Sequence, residues 1–280
     1  MPDAAPQTAN ASPARTAPGG GAVFIPARHT PWFQRGFVKY TRKLIAKKFF
    51  AVRVAHDTLD ATRDLDAHPA PVLMLMSHAS WWDPLIGLYL SATYMPSRRA
   101  YSPMSAAELK KFGFFRRVGV FGIDPDSPES MRAMGDYVAS EFASHPRSTL
   151  WITPQGRFVD PRAPIEVRPG AAAIAARTPG IRVVCVAVEY GFWTDQRPEV
   201  FIRFEPCALE EGRSGLTGWQ RAIPGVMERN RDALARLVMA RDPAGFASIS
   251  GGATKINPIM DLILRARGQN AALDAQRRGR

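Results

Sequence analysis

Continuous apolar runs and helical stripes alternate along most of the chain. The run PVLMLMS at residues 71–77 stays apolar until its last position, which is typical of a strand buried on both faces of a sheet. Comparable runs predict further strands at 118–123, 149–153, 183–190 and 199–204. The stretches between them predict helices from Asp83 onward and at 128–142, 171–177 and 224–240. This alternation predicts an α/β fold with a mainly parallel central sheet covered by helices.

A segment near the N-terminus has a helical pattern of its own. Residues 32–54 read WFQRGFVKYTRKLIAKKFFAVRV, and apolar side chains recur on one helical stripe at Phe33, Phe37, Tyr40, Leu44 and Ala51. Basic side chains gather on the opposite side: Arg35, Lys39, Arg42, Lys43, Lys47 and Arg53. The pattern predicts one amphipathic, basic helix that continues to about residue 54.

A helix with an apolar face and a cationic face is typical of the surface of an anionic bilayer. We therefore predict an N-terminal amphipathic membrane-associated helix, with the bilayer contacted by Phe33, Phe37, Lys39, Arg42, Lys43 and Lys47. Two alternatives stay open: a helix packed on the protein with a solvated basic face, and an arm that binds nucleic acid. The chain has no helix-turn-helix, zinc-finger or RNA-binding signature, which argues against nucleic acid as the partner.

The charge distribution supports an anionic partner near the two ends of the chain. The 280 residues include 37 basic and 25 acidic side chains, a formal net charge of +12. Residues 28–53 hold eight basic side chains and no acidic one, and residues 265–280 hold five basic ones against Asp274; the rest is balanced. No apolar stretch reaches the roughly 20 residues of a membrane-spanning helix, which excludes a multi-pass membrane protein.

Cysteine usage and the N-terminal sequence indicate the compartment. Cys185 and Cys207 are too few for a disulfide framework, and no Cys/His cluster has zinc-site spacing, so we expect a reducing compartment and no metal. The first residues, MPDAAPQTAN, lack the basic start and apolar core of a secretory signal. We therefore expect a peripheral or monotopic protein at the cytoplasmic face of a membrane.

The first candidate for chemistry is a histidine and a carboxylate, His78 and Asp83, separated by four residues at a predicted strand-to-helix junction. A carboxylate bonded to one imidazole nitrogen fixes the tautomer, leaves the other nitrogen as proton acceptor and stabilises the imidazolium. Such a pair can act as a general base for a hydroxyl. The alternative is structural, with Asp83 capping the following helix and His78 as an ordinary loop residue.

A second motif, TPQGRF at residues 153–158, follows another predicted strand 75 residues after His78. Together the motifs resemble the glycerolipid acyltransferase family, the enzymes that acylate lysophosphatidic acid and related lysolipids. That family carries His-x-x-x-x-Asp after an early strand, a later Phe-Pro-Glu-Gly-Thr-Arg-like turn and a Val-Pro-Val-like strand beyond it. The sequences VVCVAV at 183–188 and RPGAA at 168–172 also resemble family segments. The resemblance covers about 72–204.

The resemblance implies an O-acyltransferase in which His78 takes the proton from an acceptor hydroxyl and Asp83 orients His78. The hydroxyl oxygen then attacks the thioester of an acyl-CoA or acyl-carrier-protein donor, and no cofactor beyond that donor is needed. Substrate-binding residues implied by the second motif and its surroundings are Pro154, Gln155, Gly156, Arg157 and Arg168. The arginines suit a phosphate, and the backbone near Gly156 is a candidate for stabilising the oxyanion. The expected acceptor is a lysolipid, first of all 1-acylglycerol-3-phosphate in phospholipid synthesis.

Several positions depart from the family pattern. Gln155 stands where the family has Glu, Arg157 comes one position early, and Cys185 occupies the usual Pro position. Pro125 replaces the arginine of a Gly-x-x-Phe-Ile-Asp-Arg block that is implicated in holding the acceptor's phosphate. These departures leave the acceptor open, with a lyso-aminolipid or glycolipid as the alternative. A catalytically silent membrane-binding protein on this scaffold is the other alternative.

The composition divides the chain into four expected regions. Residues 1–22 are rich in Ala, Pro, Gly, Thr and Ser and are expected to be a disordered tail. We expect a basic membrane-surface helix region at 23–60 and the acyltransferase α/β domain at 61–250. An apolar turn and a basic tail are expected at 251–280.

Overall fold

The computed structural model describes residues 24–193, 195–209 and 214–251, and this part of the chain forms one eight-stranded sheet covered by helices. The strands are β1 (Ala51–Ala55), β2 (Val72–Met76), β3 (Arg99–Ser105), β4 (Val120–Ile123), β5 (Ser148–Ile152), β6 (Arg182–Gly191), β7 (Glu199–Cys207) and β8 (Phe246–Gly251). The α-helices are α1 (Pro31–Lys48), α2 (Asp83–Tyr94), α3 (Ala106–Lys111), α4 (Pro128–Ser144), α5 (Gly170–Arg177) and α6 (Gly215–Ala240). Short 3₁₀-helices cover His56–Thr62, Gly113–Val118 and Pro243–Gly245. The expected tails at 1–22 and 251–280 lie outside the described residues, except for Gly251, which ends β8.

The strand order is β4-β3-β5-β2-β6-β7-β1-β8. The first five strands run parallel to one another, β7 is antiparallel to β6, β1 is parallel to β7, and β8 is antiparallel to β1. The sheet is therefore mixed and mostly parallel, which confirms the predicted fold class. The strands β5, β2 and β6 are neighbours, so their carboxyl ends meet at one edge of the sheet, where open α/β sheets place their binding sites.

Strand β2 shows why its sequence is apolar at every position. Leu73 and Leu75 belong to a core on the side of α4, α5 and α6, whereas Val72, Met74 and Met76 pack on the opposite side with α1 and α2. Because successive side chains of a strand point to opposite faces, a strand covered by helices on both faces has no solvent-facing position. The two cores together hold the sheet between its helical layers.

The N-terminal helix ends earlier than its sequence pattern predicts. Helix α1 ends at Lys48, and the expected continuation to residue 54 is wrong, because residues 51–55 form strand β1 between β7 and β8. All five side chains of β1 are buried, so Ala51 faces the core rather than an exposed apolar stripe. Arg53, expected on a solvated face, is buried and ion-paired with the fully buried Glu199. Sheet pairing overrides the local helical pattern here.

Other boundaries also differ from the prediction. Helix α6 begins at Gly215 rather than at residue 224, and Pro224 lies inside it. Proline usually occupies the first turn of a helix, whereas here the apolar face around Ile223 and Val226 packs on the core and the helix continues on both sides of Pro224. Strands β3 and β8 and helix α3 were not predicted. In the described part of the chain, no helix combines the length and the hydropathy that crossing a bilayer requires.

A buried arginine ties the loop before β2 to the sheet. The guanidinium of Arg98 donates hydrogen bonds to four backbone carbonyls and one hydroxyl: those of Leu65, His68, Ala70 and Ser148, and Oγ1 of Thr149. Burial lowers the pKa of Arg98 to about 10, so the side chain keeps its charge at neutral pH. The buried charge is tolerated because the N–H groups of the guanidinium donate hydrogen bonds to these carbonyl and hydroxyl oxygens.

We predict that Arg98→Met lowers the free energy of unfolding by about 3 kcal/mol, because several buried carbonyls lose their donor at once. The exposed neighbour Arg99 provides the control, and Arg99→Met should change the free energy by less than about 0.5 kcal/mol. Urea denaturation followed by circular dichroism measures both. Equal stability of the two variants would show that the Arg98 hydrogen bonds are not needed.

Candidate active site

The imidazole of His78 and the carboxylate of Asp83 meet at the carboxyl end of β2. His78 lies in the loop after the strand, and Asp83 is the first residue of α2. Nδ1 of His78 lies 2.9 Å from Oδ2 of Asp83, with 17% of the imidazole side chain exposed and none of the carboxylate. Since the carboxylate only accepts, Nδ1 carries the proton, and Nε2 remains as the acceptor that a substrate can reach.

Two further donors surround the Asp83 carboxylate. The backbone N–H of Ser80 donates to Oδ2 at 2.8 Å, and the hydroxyl of Tyr190 donates to Oδ1 at 2.6 Å. Burial, reinforced by the charge of Asp83, raises the pKa of Tyr190 well above its ordinary value, so the hydroxyl stays protonated and remains a donor. None of these hydrogen bonds goes to the α2 backbone, so Asp83 does not act as a helix cap.

The loop 153–169 between β5 and α5 holds the backbone of His78. Oε1 of Gln155 accepts from the N–H of His78 at 3.0 Å, and the N–H of Val159 donates to the carbonyl of His78 at 2.8 Å. Gln155 itself is buried. A neutral amide at this position therefore supplies the acceptor that positions His78, without adding a second negative charge beside Asp83.

Gly156 and Arg168 lie side by side in the same loop. The φ angle of Gly156 is +68°, a left-handed conformation that favours glycine, and an added Cβ would lie 2.9 Å from Nε of Arg168. The N–H of Gly156 donates to the carbonyl of Thr153 at 3.0 Å, so this N–H is already used within the turn. The N–H of Arg168 donates to the carbonyl of the buried Pro154 at 2.9 Å.

The two arginines of the loop carry exposed ion pairs. Arg157, 66% exposed, lies 2.5 Å from the carboxylate of Glu166. Arg168, 49% exposed, contacts Asp126 at 3.1 Å and the carbonyl of Pro125 at 3.2 Å. Arg168 therefore connects the loop to the segment that contains Pro125 and Asp126.

Aromatic rings cover the imidazole and extend into solvent beside it. The ring of Phe158 lies 4.2 Å, centroid to centroid, from the imidazole of His78 and is 59% exposed. Trp81 is 67% exposed, whereas the partly buried Trp82 packs on Phe49. Neither Phe158, although it ends the motif at 153–158, nor Tyr190 was predicted as a site residue. Tyr190 carries a signal that could have been used, since it is the last residue of the strand predicted at 183–190.

A groove of about 590 Å³ shares Tyr190 with this site. Phe192 and Trp193, which follow β6, form an aromatic wall, and the guanidinium groups of Arg162 and Arg241 also line the groove. Arg162 is ion-paired with Glu189. Asp160 and Glu189 also line the groove, so its surface combines apolar rings with side chains of both charges. Among the described residues, no cluster of three or more His, Cys, Asp or Glu side chains is arranged to hold a metal ion.

The residues expected to contact a bilayer all lie on α1. Lys39, Arg42, Lys43 and Lys47 are exposed, whereas Phe33 and Phe37 are only half-exposed. The rings of this helix with the largest exposure are instead Trp32, at 65%, and Tyr40, at 55%.

The fold and the site together define a class of protein. It is an α/β protein in which a buried carboxylate orients a partly exposed imidazole, and enzymes use this arrangement for general-base catalysis. More specifically, residues 60–189 match the family model described as Acyltransferase. This range contains His78, Asp83 and the loop 153–169, so the part of the chain that resembles an acyltransferase is the part that holds the candidate site. No curated protein matches the chain. An acyl donor and an acceptor are therefore the two substrates that the domain implies.

We predict that Tyr190→Phe lowers kcat for acyl transfer about tenfold and leaves KM for the acyl donor unchanged. Loss of the hydroxyl removes one of the bonds that orient the Asp83 carboxylate, and through it the imidazole, without altering the packing of the ring. Steady-state thioester release measures both constants.

Tyr89→Phe is the matched control, since Tyr89 is also buried and its hydroxyl donates to the carbonyl of Ile249 at 2.7 Å, away from Asp83. Both variants should lose about 1 kcal/mol of stability, but only Tyr190→Phe should lower kcat. A similar kcat for both variants would contradict a positioning role of Tyr190.

Proposed function

We propose that the protein is a monotopic O-acyltransferase of phospholipid synthesis at the cytoplasmic face of a membrane. It transfers a fatty acyl group from acyl-CoA or acyl-carrier protein to the free hydroxyl of a lysolipid, with 1-acylglycerol-3-phosphate as the first-choice acceptor. The single observation that carries the proposal is the 2.9 Å contact between Nδ1 of His78 and Asp83, inside the range that matches the acyltransferase family model.

His78 acts as the general base in this reaction. Nε2 takes the proton of the acceptor hydroxyl while the hydroxyl oxygen attacks the thioester carbonyl, so that a C–O bond forms. The C–S bond then breaks, and the imidazolium returns the proton to the departing thiolate. Asp83 keeps Nδ1 protonated and stabilises the imidazolium, and no covalent acyl-enzyme is needed.

The loop 153–169 positions the base and binds the acceptor. Pro154 and Gln155 are buried beneath the site, and Gln155 fixes the backbone of His78. Gly156 adopts a left-handed backbone conformation beside the Arg168 side chain, 2.9 Å from where a Cβ would stand. The loop thereby holds Arg168 against the residue that follows Gln155, which positions the backbone of His78.

Arg157 and Arg168 supply the phosphate contacts in this proposal. Their present partners, Glu166 and Asp126, are about 80% exposed, and exposed ion pairs of this kind contribute only about 0–1 kcal/mol. A phosphate has more charge and more acceptor oxygens than a carboxylate, so it can replace these partners at small cost. The exchange provides a phosphate site even though Pro125 stands at the family's usual arginine.

Helix α1 keeps the protein at the bilayer in this proposal. Its inner side packs through Thr41 and Ile45, and its outer side presents Lys39, Lys43 and Lys47. Each basic residue near an anionic surface contributes roughly 1 kcal/mol at low salt. A lysolipid presents its hydroxyl at that surface, so a site close to the bilayer removes the need to extract the acceptor into water.

We predict that His78→Gln lowers thioester release by about 10² to 10⁴-fold, because it removes the proton acceptor and keeps a side chain of similar size. Asp83→Asn should also lower it, since an amide cannot support the imidazolium. His56→Gln is the matched control, because His56 is exposed and lies outside the site. The assay uses purified protein, acyl-CoA and acyl-carrier-protein donors, and lysophosphatidic acid.

A panel of lysolipids decides the acceptor. Lysophosphatidic acid should be acylated faster than lyso-aminolipids or glycolipids. Efficient acylation of phosphate-free headgroups with none of lysophosphatidic acid would replace the first-choice acceptor. Wild-type activity in His78→Gln would contradict the catalytic role of His78 and favour a catalytically silent protein on this scaffold.

A further inference from the structure

A second segment, distant from α1 in sequence, presents exposed aromatic rings next to it. Residues 109–118 read LKKFGFFRRV and cover the end of α3 and the 3₁₀-helix Gly113–Val118. We infer that this segment and α1 together form one docking surface for an anionic phospholipid bilayer. The inference deepens the proposed function, because that function requires a bilayer as the location of the acceptor.

Seven aromatic rings form a continuous cluster across the two segments. Phe37 of α1 lies 6.0 Å from Phe114 and 5.9 Å from Phe115, centroid to centroid. The remaining ring contacts extend the cluster to Trp32, Phe33, Tyr40 and Phe112. The guanidinium of Arg117 lies 5.4 Å from the ring centroid of Phe33. The two segments therefore share one packed aromatic layer.

The outer rings of this layer are open to solvent. Phe112 is 46% exposed and Phe114 is 43% exposed, beside the still more exposed Trp32 and Tyr40. The inner rings Phe33, Phe37 and Phe115 are half-buried and support them. Exposed large rings grouped on one surface, rather than scattered singly, mark an interaction site.

The charge around these rings has a single sign. Residues 109–118 contain four basic side chains and no acidic one, and residues 28–48 contain seven basic side chains and no acidic one. The nearby Glu108 is neutralised by Lys111 at 2.7 Å. Lys110, Lys111 and Arg117 are exposed. Basic groups around aromatic rings suit the headgroup region of an anionic bilayer, where rings enter the interface and cations meet phosphates.

Backbone hydrogen bonds hold the two segments in a fixed arrangement. The N–H of Arg28 donates to the carbonyl of Arg116 at 2.8 Å, and the N–H of Thr30 donates to the carbonyl of Arg117 at 3.0 Å. The guanidinium of Arg116 also donates to the carbonyl of Pro26 at 2.9 Å. The chain before α1 is thereby bound to the 3₁₀-helix, so the rings meet a bilayer as a preformed surface.

A bilayer fits this surface better than a protein does. A second copy of the chain would bring two sets of like charges together, which costs free energy. An acidic protein would match the cations, but the protruding rings would then need a complementary apolar groove. A bilayer accommodates rings and cations together without any such shape requirement.

The test measures binding of the full chain to vesicles by co-sedimentation, with vesicles of phosphatidylcholine alone or mixed with phosphatidylglycerol. The double variant Phe112→Ser, Phe114→Ser should weaken binding to the mixed vesicles about tenfold. The double variant Lys110→Gln, Lys111→Gln should weaken binding to the mixed vesicles and reduce the difference between the two vesicle types. Leu216→Ser is the matched control, since Leu216 is 44% exposed on α6 and should leave binding unchanged.

Thioester release is measured separately with lysolipid dispersed in detergent. The Phe112/Phe114 variant should retain this activity and lose activity on lysolipid embedded in vesicles. No thioester release by wild-type protein, with the vesicle-binding pattern intact, would overturn the proposed function and leave the docking surface standing. Wild-type vesicle binding by the Phe112/Phe114 variant, or no vesicle binding by the wild-type chain, would overturn the docking surface. If that variant lost self-association of the chain but still bound vesicles, the rings would be a contact surface for a second copy of the chain rather than for a bilayer.

Discussion

The Asp83 carboxylate is completely removed from solvent, and a buried negative charge is tolerated only where donors surround it. Three donors do so here: the imidazole of His78, the N–H of Ser80 and the hydroxyl of Tyr190. Two of them come from the loop after β2 and the third from the end of β6, so the carboxylate determines where that loop and the end of β6 lie. The same requirement leaves the imidazole with one orientation and only Nε2 to face a substrate.

The order of the strands is what brings these donors together. β2 lies between β5 and β6, and all three are parallel, so the loops that follow them share one edge of the sheet. From β5 comes Gln155, which fixes the backbone of His78, and from β6 comes Tyr190, which fixes Asp83. The site therefore depends on long-range strand pairing as much as on the short sequence between His78 and Asp83.

The sequence predicted the elements whose pattern is local and strong. Continuous apolar runs identified β2, β5 and β6, because a strand that is buried on both faces has apolar residues at nearly every position. Strand β1 was missed because its residues also fit a helical stripe, and only pairing with β7 and β8 decides between the two. The spacing of His78 and Asp83 was readable, whereas Tyr190 reaches Asp83 across 107 positions, a contact that no local pattern encodes.

Helix α1 connects the proposed membrane-docking surface to the His78–Asp83 site through packed side chains. Its 18 residues span roughly 27 Å, with the aromatic cluster at its start and Phe49 directly after its end. Phe49 packs on Trp82 at 5.0 Å and on Tyr190 at 5.9 Å, centroid to centroid. A surface that binds the start of α1 therefore determines the orientation of residues that hold Asp83. Because the contacts at both ends are packed rings rather than flexible loops, a bilayer bound in the proposed way would keep a constant orientation relative to the His78 imidazole.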